Sequence, residues 1–306
     1  VGQILGAAGR NLVIGAPANL KRWVASHLGA GKPVPVGRRP RTNLVSLASS
    51  VAFETTTSPF HQRVVYERLM ARYVAPGDRR DLKRPFFLHL DAAERFPRVT
   101  VRGLEEGVAP GFGPFRDRGA AEKAKAGLHK LFPLRPCDYT FEPDPALPLG
   151  LGCLYAQVRS CAAPCLARIG EDGYRGLARE AVRLLADPAG RPSPQPAWLP
   201  AAVAHAGSRA LVVATGKAGV ELYPVRAGVV MEDARAVVAD ASGVADAVAR
   251  LRFPSPDRPG TDWPWLSAWL NSPKGRGSLL TLDDSLQDAA LAEVLADRLF
   301  PEPEPA

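Results

Sequence analysis

Four cysteines carry the clearest chemistry in this chain. Cys137, Cys153, Cys161 and Cys165 fall within 29 residues, at the spacing C-x15-C-x7-C-x3-C. Thiolates are soft ligands, and four of them brought together make a site for zinc or for an iron–sulfur cluster. A pair with three residues between them, with two more distant partners, supplies such ligands from loops and a helix start. Two other readings stay open on the residues alone. One is a pair of disulfides, which requires an oxidising compartment. The other is four unlinked buried thiols. The five histidines, His27, His61, His89, His129 and His205, show neither H-x3-H nor HExxH spacing and read as structural or surface residues. The sequence holds no Gly-rich phosphate loop and no Ser/His/Asp signature, so nucleotide hydrolysis and acyl transfer have no support.

The elements that position the cysteines must come from more than one core. At 306 residues, with 46% hydrophobic and 23% charged side chains, the chain is an ordinary globular sequence long enough for two or three packed units. No stretch approaches the roughly 18 to 20 apolar residues that a bilayer crossing needs. The opening VGQILGAAGRNLVIG lacks a basic region followed by a long apolar core. Neither a spanning helix nor an intact signal peptide is therefore expected, and the chain reads as cytoplasmic. It starts at Val1 rather than Met, which leaves room for residues further upstream.

The net charge of +8 is unevenly spread. Residues 1–90 hold 14 basic and 4 acidic side chains, residues 91–187 hold 14 and 13, and residues 188–306 hold 11 and 14. All of the excess lies in the first third, in runs such as Lys21-Arg22, Arg38-Arg39-Pro40-Arg41 and Arg79-Arg80. Such a concentration suits a phosphate backbone, because each neutralised phosphate releases condensed counterions. The alternative is a basic surface that only keeps the protein soluble.

Punctuation along the chain predicts an α+β protein in three units with one linker. Ser58-Pro59, followed by Phe60, Val64, Val65, Leu69 and Tyr73, reads as a capped amphipathic helix with Pro at its first position. A second helix is expected from about Asp172 to Asp187, with Tyr174, Leu177, Ala181 and Leu184 on one face. Short strands are expected at Asn11 to Ile14, Phe86 to Leu90 and Arg98 to Val101. From Pro188 to Pro200 there are five prolines in thirteen residues, a stiff extended connector. Beyond it, two β-rich runs separated by Gly216-Lys217-Ala218-Gly219 signal a hairpin. Helices follow near Val244 to Leu251, Trp263 to Leu270 and Ser285 to Phe300. The units are then residues 1–90, 91–187 with the cysteines, and 209–306, with 188–208 as the linker.

Read with their neighbours, the cysteines point further. The succession Phe112-Gly113-Pro114-Phe115, then HKLFPLRPC ending at Cys137, then GLGCLYAQVRSCAAPC ending at Cys165, then Tyr174 in a helix, resembles the N-terminal half of the C component of excinuclease ABC. That family, which includes the shorter excinuclease-homologue endonuclease, incises DNA in bacterial nucleotide excision repair. Its cysteine set ends C-x7-C-x3-C and binds an iron–sulfur cluster. The last two intervals match here, and the first is a few residues longer. The resemblance is specific around 112–187 and loose elsewhere, and it implies that Cys137, Cys153, Cys161 and Cys165 hold an iron–sulfur cluster, with zinc as the alternative.

The same resemblance makes residues 1–90 similar to the GIY-YIG nuclease domain, a small antiparallel sheet with flanking helices that cuts DNA with one divalent metal. The stretch VIGAPANLKRWVASHL keeps Gly15, Asn19, Leu20 and Lys21 of the backbone pattern. Its reactive positions are not kept. The two tyrosines of the opening motif fall on Gln3 and Val13, the catalytic arginine on Trp23 and a later tyrosine on His27. The metal-binding glutamate falls on Arg63 or its neighbour Gln62, and a basic side chain does not hold a divalent cation. A shifted register would use Arg22 and Glu67, but four helical positions displace the carboxylate about 6 Å along the axis, far more than catalysis tolerates.

In longer members a helical hairpin that docks the damage-loading protein and an RNase H-like nuclease follow. Here the Pro-rich connector stands in the hairpin's place, and neither module is expected within these residues. The resemblance thus implies a DNA-binding, excision-repair-related protein with weak or lost nuclease activity. Lys21, Arg22, Arg38, Arg39 and Arg41 are the expected phosphate contacts, and DNA and other excision-repair subunits the expected partners. Mg²⁺ or Mn²⁺ would be needed only if cutting survives. The alternatives are an active structure- or damage-specific endonuclease using the shifted residues, and a structural or partner-binding module.

Overall fold

A tight turn with Ala8 at φ 56° and Gly9 at φ 71°, both in the left-handed region, folds the start of the chain back on itself. It joins β1 (Gly2–Gly6) to β2 (Asn11–Gly15), and β3 (Ala48–Phe53) pairs with the other edge of β1. The antiparallel order is β2-β1-β3. The structure, a computed structural model, describes residues 1–29, 44–75, 78–79, 83–91, 93–104, 111–147, 153–186, 198–199, 204–276, 278–282 and 287–301. They form small antiparallel sheets and several helices, and the chain divides into two compact units.

The first unit is Val1–Asp81 together with Ala214–Glu221 and Val237–Ala239. Two helices complete its sheet. In α1 (Leu20–Leu28) the Asn19 side chain caps the first turn by accepting from the Arg22 amide. In α2 (Pro59–Tyr73) Ser58 does the same for the His61 amide, with Pro59 in the first turn, as the residues predict. Ile4, Phe60 and Val65 are fully buried and Val64 nearly so. The apolar face of α2 is shorter than predicted, because Tyr73 at its last turn is 42% exposed and lies under the Arg72 guanidinium. Six residues earlier the buried face instead takes in a carboxylate, Glu67.

The second unit is Leu82–Val213, Leu222–Ala236 and Asp240–Ala306. Its first sheet runs β5-β4-β6-β7, with β4 (Phe86–His89), β5 (Thr100–Gly103), β6 (Phe112–Phe115) and β7 (Ala204–His205). The Phe-Gly-Pro-Phe segment, to which the sequence reading assigned no element, is a central strand. Its pairing with β4 is irregular between Phe86 and Leu88, where Pro114 has no amide hydrogen to offer. Gly113 is needed there, since a Cβ would stand 2.6 Å from the Phe87 ring.

Against this sheet pack α3 (Arg118–Leu131), capped by Asp117, and α5 (Glu171–Ala186); the single turn α4 (Leu154–Gln157) lies between them in sequence. Leu88, Phe115, Leu128, Leu134, Tyr174, Ala181 and Leu185 share one core. The buried face of α5 is Tyr174, Ala178, Ala181 and Leu185, turned by one residue from the predicted stripe. Part of the Pro-rich stretch belongs to the same core: Leu199 is buried and the Trp198 indole lies against Gly127, where a Cβ would stand 2.3 Å from the ring.

The predicted hairpin is β8 (Arg209–Gly216) and β9 (Gly219–Arg226). β10 (Val229–Val230) and β11 (Ala236–Val238) pair with β9, and β12 (Leu279–Thr281) with β8. Helices α6 (Val244–Arg250), α7 (Trp263–Leu270) and α8 (Asp288–Leu299) follow the expected positions to within three residues. Among the described residues no helix is long and apolar enough to cross a membrane.

Candidate cysteine centre and nucleic-acid interface

All four cysteines line one cavity of about 80 Å³, walled also by Arg135, Tyr139, Phe141, Ala156 and Ala163. Each reaches it from a differently fixed piece of backbone. Cys137 follows Arg135, whose backbone amide donates to the Tyr174 hydroxyl at 2.6 Å. The Arg135 guanidinium donates to the carbonyls of Phe96 and Tyr139, both at 2.7 Å, and lies over the Phe141 ring. Tyr174 in turn donates to the Pro97 carbonyl at 3.1 Å. One arginine and one buried phenol therefore tie the Cys137 loop to the core.

Cys153 precedes α4, its carbonyl accepting from the Ala156 amide at 3.0 Å. Cys161 is buried, and its sulfur is 3.4 Å from the Ala163 amide that donates to it. Cys165 sits in a single 3-10 turn, Pro164–Leu166, flanked by Ala163 at φ 55° and Ala167 at φ 51°, with Arg159 at φ 56° just before. Three non-glycine residues in the left-handed region within nine positions cost on the order of 1 kcal/mol each. The surrounding core must hold this turn, which aims Cys161 and Cys165 into the cavity.

Burial pushes the Cys161 thiol up to about 11; the Ala163 amide opposes the rise and the three other cysteines add to it. Cys165 is raised as well, by burial first and then by Cys137 and Cys153. Cys161 and Cys165 thus feel the charge of their neighbouring cysteines, and as bare thiols these two stay protonated at neutral pH. All four are free of disulfides. Among the described residues no group of three or more His, Cys, Asp or Glu side chains is arranged to hold a single metal ion.

In the first unit the positions proposed for nuclease chemistry have other occupations. Gln3 on β1 donates to the Asn11 side chain at 3.4 Å, and Val13 on β2 pairs with Ile4. Gly2 and Gly15 face each other across β1 and β2, and the Trp23 indole fills the hollow they leave. A Cβ on Gly15 would stand 2.6 Å from that ring. The His27 ring packs on Trp23 with centroids 4.8 Å apart, its Nδ1 2.9 Å from the Trp23 carbonyl. Trp23 is thus a packing residue.

Arg63 reaches one oxygen of Glu67 at 2.6 Å, and Arg79 pairs with the other. Gln62 donates to the Pro17 carbonyl at 3.1 Å. The carboxylate that a shifted register would use is therefore 5% exposed and held by two guanidinium groups, which a divalent cation would have to displace. The second pairing also removes Arg79 from the basic surface on which the sequence run places it.

Lys21 and Arg22 are exposed in the first turn of α1 and make no ion pair with a described residue. Arg38, Arg39 and Arg41 lie outside the described residues. Sequence reasoning did not single out Tyr174's hydroxyl or the left-handed alanines. The arginine two residues before Cys137 was visible in the motif, but its role as an anchor was not.

Residues 86–184, which build the cavity, match the family described as UvrC/Cho excinuclease, middle domain, and over this region the chain is UvrC-like. UvrABC system protein C of Sphingopyxis alaskensis is 32% identical over 185 residues, covering 58% of this chain and 27% of that protein. The protein of the same name from Novosphingobium aromaticivorans is 32% identical over 194 residues, 61% of this chain and 28% of that one. That of Trichlorobacter lovleyi is 32% identical over 183 residues, 58% and 29%. The chain spans less than a third of the length of these curated relatives. No solved structure matches it.

Proposed function

We propose that this chain is a DNA-binding protein of nucleotide excision repair, that its four cysteines hold an iron–sulfur cluster, and that its GIY-YIG-like unit has weak or lost endonuclease activity. The observation that carries the reading is the cavity of Cys137, Cys153, Cys161 and Cys165 within the residues that match the excinuclease middle domain. The cluster, rather than zinc, is what the resemblance of a cysteine set ending C-x7-C-x3-C implies. Loss of cutting is supported by Trp23 in the hollow of the paired glycines and by the double pairing of Glu67. Lys21 and Arg22 would meet phosphates, with Arg38, Arg39 and Arg41 adding charge, and the other components of the UvrABC system are the proposed protein partners in the cytoplasm.

When bound, the cluster supplies a cross-link between α4, the 3-10 turn and the Cys137 loop. The Arg135 and Tyr174 hydrogen bonds hold that loop, and the Ala163 amide stabilises negative charge on the Cys161 sulfur. The test is protein purified without air. Iron and acid-labile sulfide, both lost in Cys161→Ser, are expected; one zinc per chain, or no metal at all, refutes the cluster. In a nicking assay on damaged duplex with Mg²⁺ or Mn²⁺, no cutting beyond that of the Glu67→Gln variant is expected. Metal-dependent cutting abolished by Glu67→Gln would instead establish an active endonuclease.

A further inference from the structure

The wall of the cysteine cavity is built of unlike parts. Ala156 of α4 and the 3-10 turn of Cys165 make one part, and the segment from Asp138 to Asp144, with Tyr139 and Phe141, makes another. That segment has no helix or strand, and among the described residues no backbone-to-backbone hydrogen bond holds positions 138–143. Its far end is tied by the Asp144 amide, which donates to the Cys165 carbonyl at 3.0 Å. Its near end is tied by the Arg135 guanidinium, which donates to the Tyr139 carbonyl at 2.7 Å. A stretch fixed at its ends and held between them by side chains alone opens more readily than the helices around it.

The side chains that hold the segment form a stack and a latch. The Phe141 ring stacks on Phe96 with centroids 5.3 Å apart, Arg135 lies 5.4 Å over Phe141, and Arg95 lies 5.2 Å over Phe96. Arg95 also donates from Nη1 to Glu142 at 2.7 Å and from Nε to Glu171 at 2.9 Å. Glu171, in the first turn of α5, is fixed through its other oxygen by Arg175 at 2.8 Å. Arg95 therefore joins a post on α5 to the segment. Charge favours this closure, because positions 138–144 carry Asp138, Glu142 and Asp144 and no basic residue, while Arg95 and Arg135 pack against them. Glu142 is 83% exposed, so dissolved salt reaches the latch.

We propose that residues 138–144 are a hinged wall of the cysteine cavity, latched by Arg95 through Glu142, and that iron and sulfide enter and leave when this wall opens. Arg95 does not line the cavity. It is a positioning residue, acting on the cysteine site through the wall. The proposal rests on the cluster reading above and adds the route by which the site is filled.

The test uses the full chain, first reduced and metal-free. An uncharged alkylating reagent is added, and modification of Cys161, the buried one of the four, is read by peptide mass. Exposed ion pairs are individually weak, so Arg95→Gln and Glu142→Gln are each expected to speed Cys161 labelling about two- to fivefold. The double variant should be no faster than Arg95→Gln, since both changes remove the same contact. Raising salt from about 0.1 M to about 1 M should speed labelling of the parent protein and leave Arg95→Gln unchanged, a dependence that lost packing alone would not give. In protein loaded with iron and sulfide, release of iron to a chelator should quicken by the same factor in both variants. Arg95 and Glu142 are exposed, and unchanged melting excludes general unfolding. Equal Cys161 labelling in parent, Arg95→Gln and Glu142→Gln overturns the latch, and faster labelling with unchanged iron release overturns the route. A parent protein that takes up no iron or sulfide ends the cluster reading, and with it the route, while the labelling still decides the latch.

Discussion

Replacing Tyr174 by Phe removes one oxygen from the centre of the second unit and tests whether that atom organises the cysteine loop. The side chain is fully buried in the core beside Phe96, with ring centroids 5.6 Å apart, so the phenylalanine ring fits the same space. The hydroxyl accepts from the Arg135 amide at 2.6 Å and donates to the Pro97 carbonyl at 3.1 Å. Its loss orphans one amide and one carbonyl in the interior, each costing about 1–3 kcal/mol, while the ring's apolar contacts stay. A loss of about 2–4 kcal/mol follows. Burial raises the phenol pKa strongly, so the hydroxyl is neutral and keeps its proton for Pro97 throughout the ordinary pH range.

Urea denaturation followed by circular dichroism reads the effect. Because the chain forms two compact units, the fit allows two transitions, and the loss should appear in one of them. The matched control is Tyr139→Phe, whose hydroxyl is in water and whose change should stay within about 0.5 kcal/mol. Freed from its anchor, the Cys137 loop should open more often, so its thiol should react faster with a disulfide reagent in the metal-free protein. A Tyr174→Phe variant as stable as Tyr139→Phe, with unchanged thiol reactivity, would refute the assignment.

Gly15→Ala forces a Cβ to within 2.6 Å of the Trp23 ring and should cost about 1–3 kcal/mol; most of this should vanish in the Trp23→Ala background, as a double-mutant cycle would show. Glu67→Gln leaves Arg63 and Arg79 against a neutral amide. With both arginines partly in water, a loss of about 1–3 kcal/mol is expected by thermal melting, and an unchanged stability would mean that the two pairs are not structural. His129 on α3 has both ring nitrogens buried, with no partner in good hydrogen-bonding geometry among the described residues, and burial lowers its pKa, the nearby Leu134 backbone opposing and Lys125 adding. Its contribution to stability is whole above the unfolded value of about 6.5. Between that value and the lower folded one the unfolded chain takes up a proton that the folded chain refuses, so stability falls as pH falls, by at most about 1.4 kcal/mol per pH unit. His129→Leu should flatten that slope, and a slope unchanged between pH 5 and 6.5 would count against the buried neutral histidine.

Local rules settled much of the molecule. The Ser58 cap with Pro59 after it, the α5 period, the Gly216 to Gly219 turn and the three late helices depend on interactions within a few residues, so they were legible in sequence. The cysteine spacing likewise announced a common site, and the resemblance of residues 112–187 to the excinuclease agrees with the family match over 86–184. What sequence could not supply was the environment of each group. That the Phe-Gly-Pro-Phe segment is a strand depends on partners more than twenty residues away in β4 and more than eighty away in β7. The left-handed conformations of Ala163 and Ala167 contradict alanine's own preference and exist only because the core around the cavity imposes them. Arg79 reads as one more cation in a basic run until α2 brings Glu67 beside it. Residue types and spacing determined which chemistry was available, because those are properties of the chain. Burial, partners and charge neighbours decided which groups remain free to perform it, because they arise only when distant segments meet.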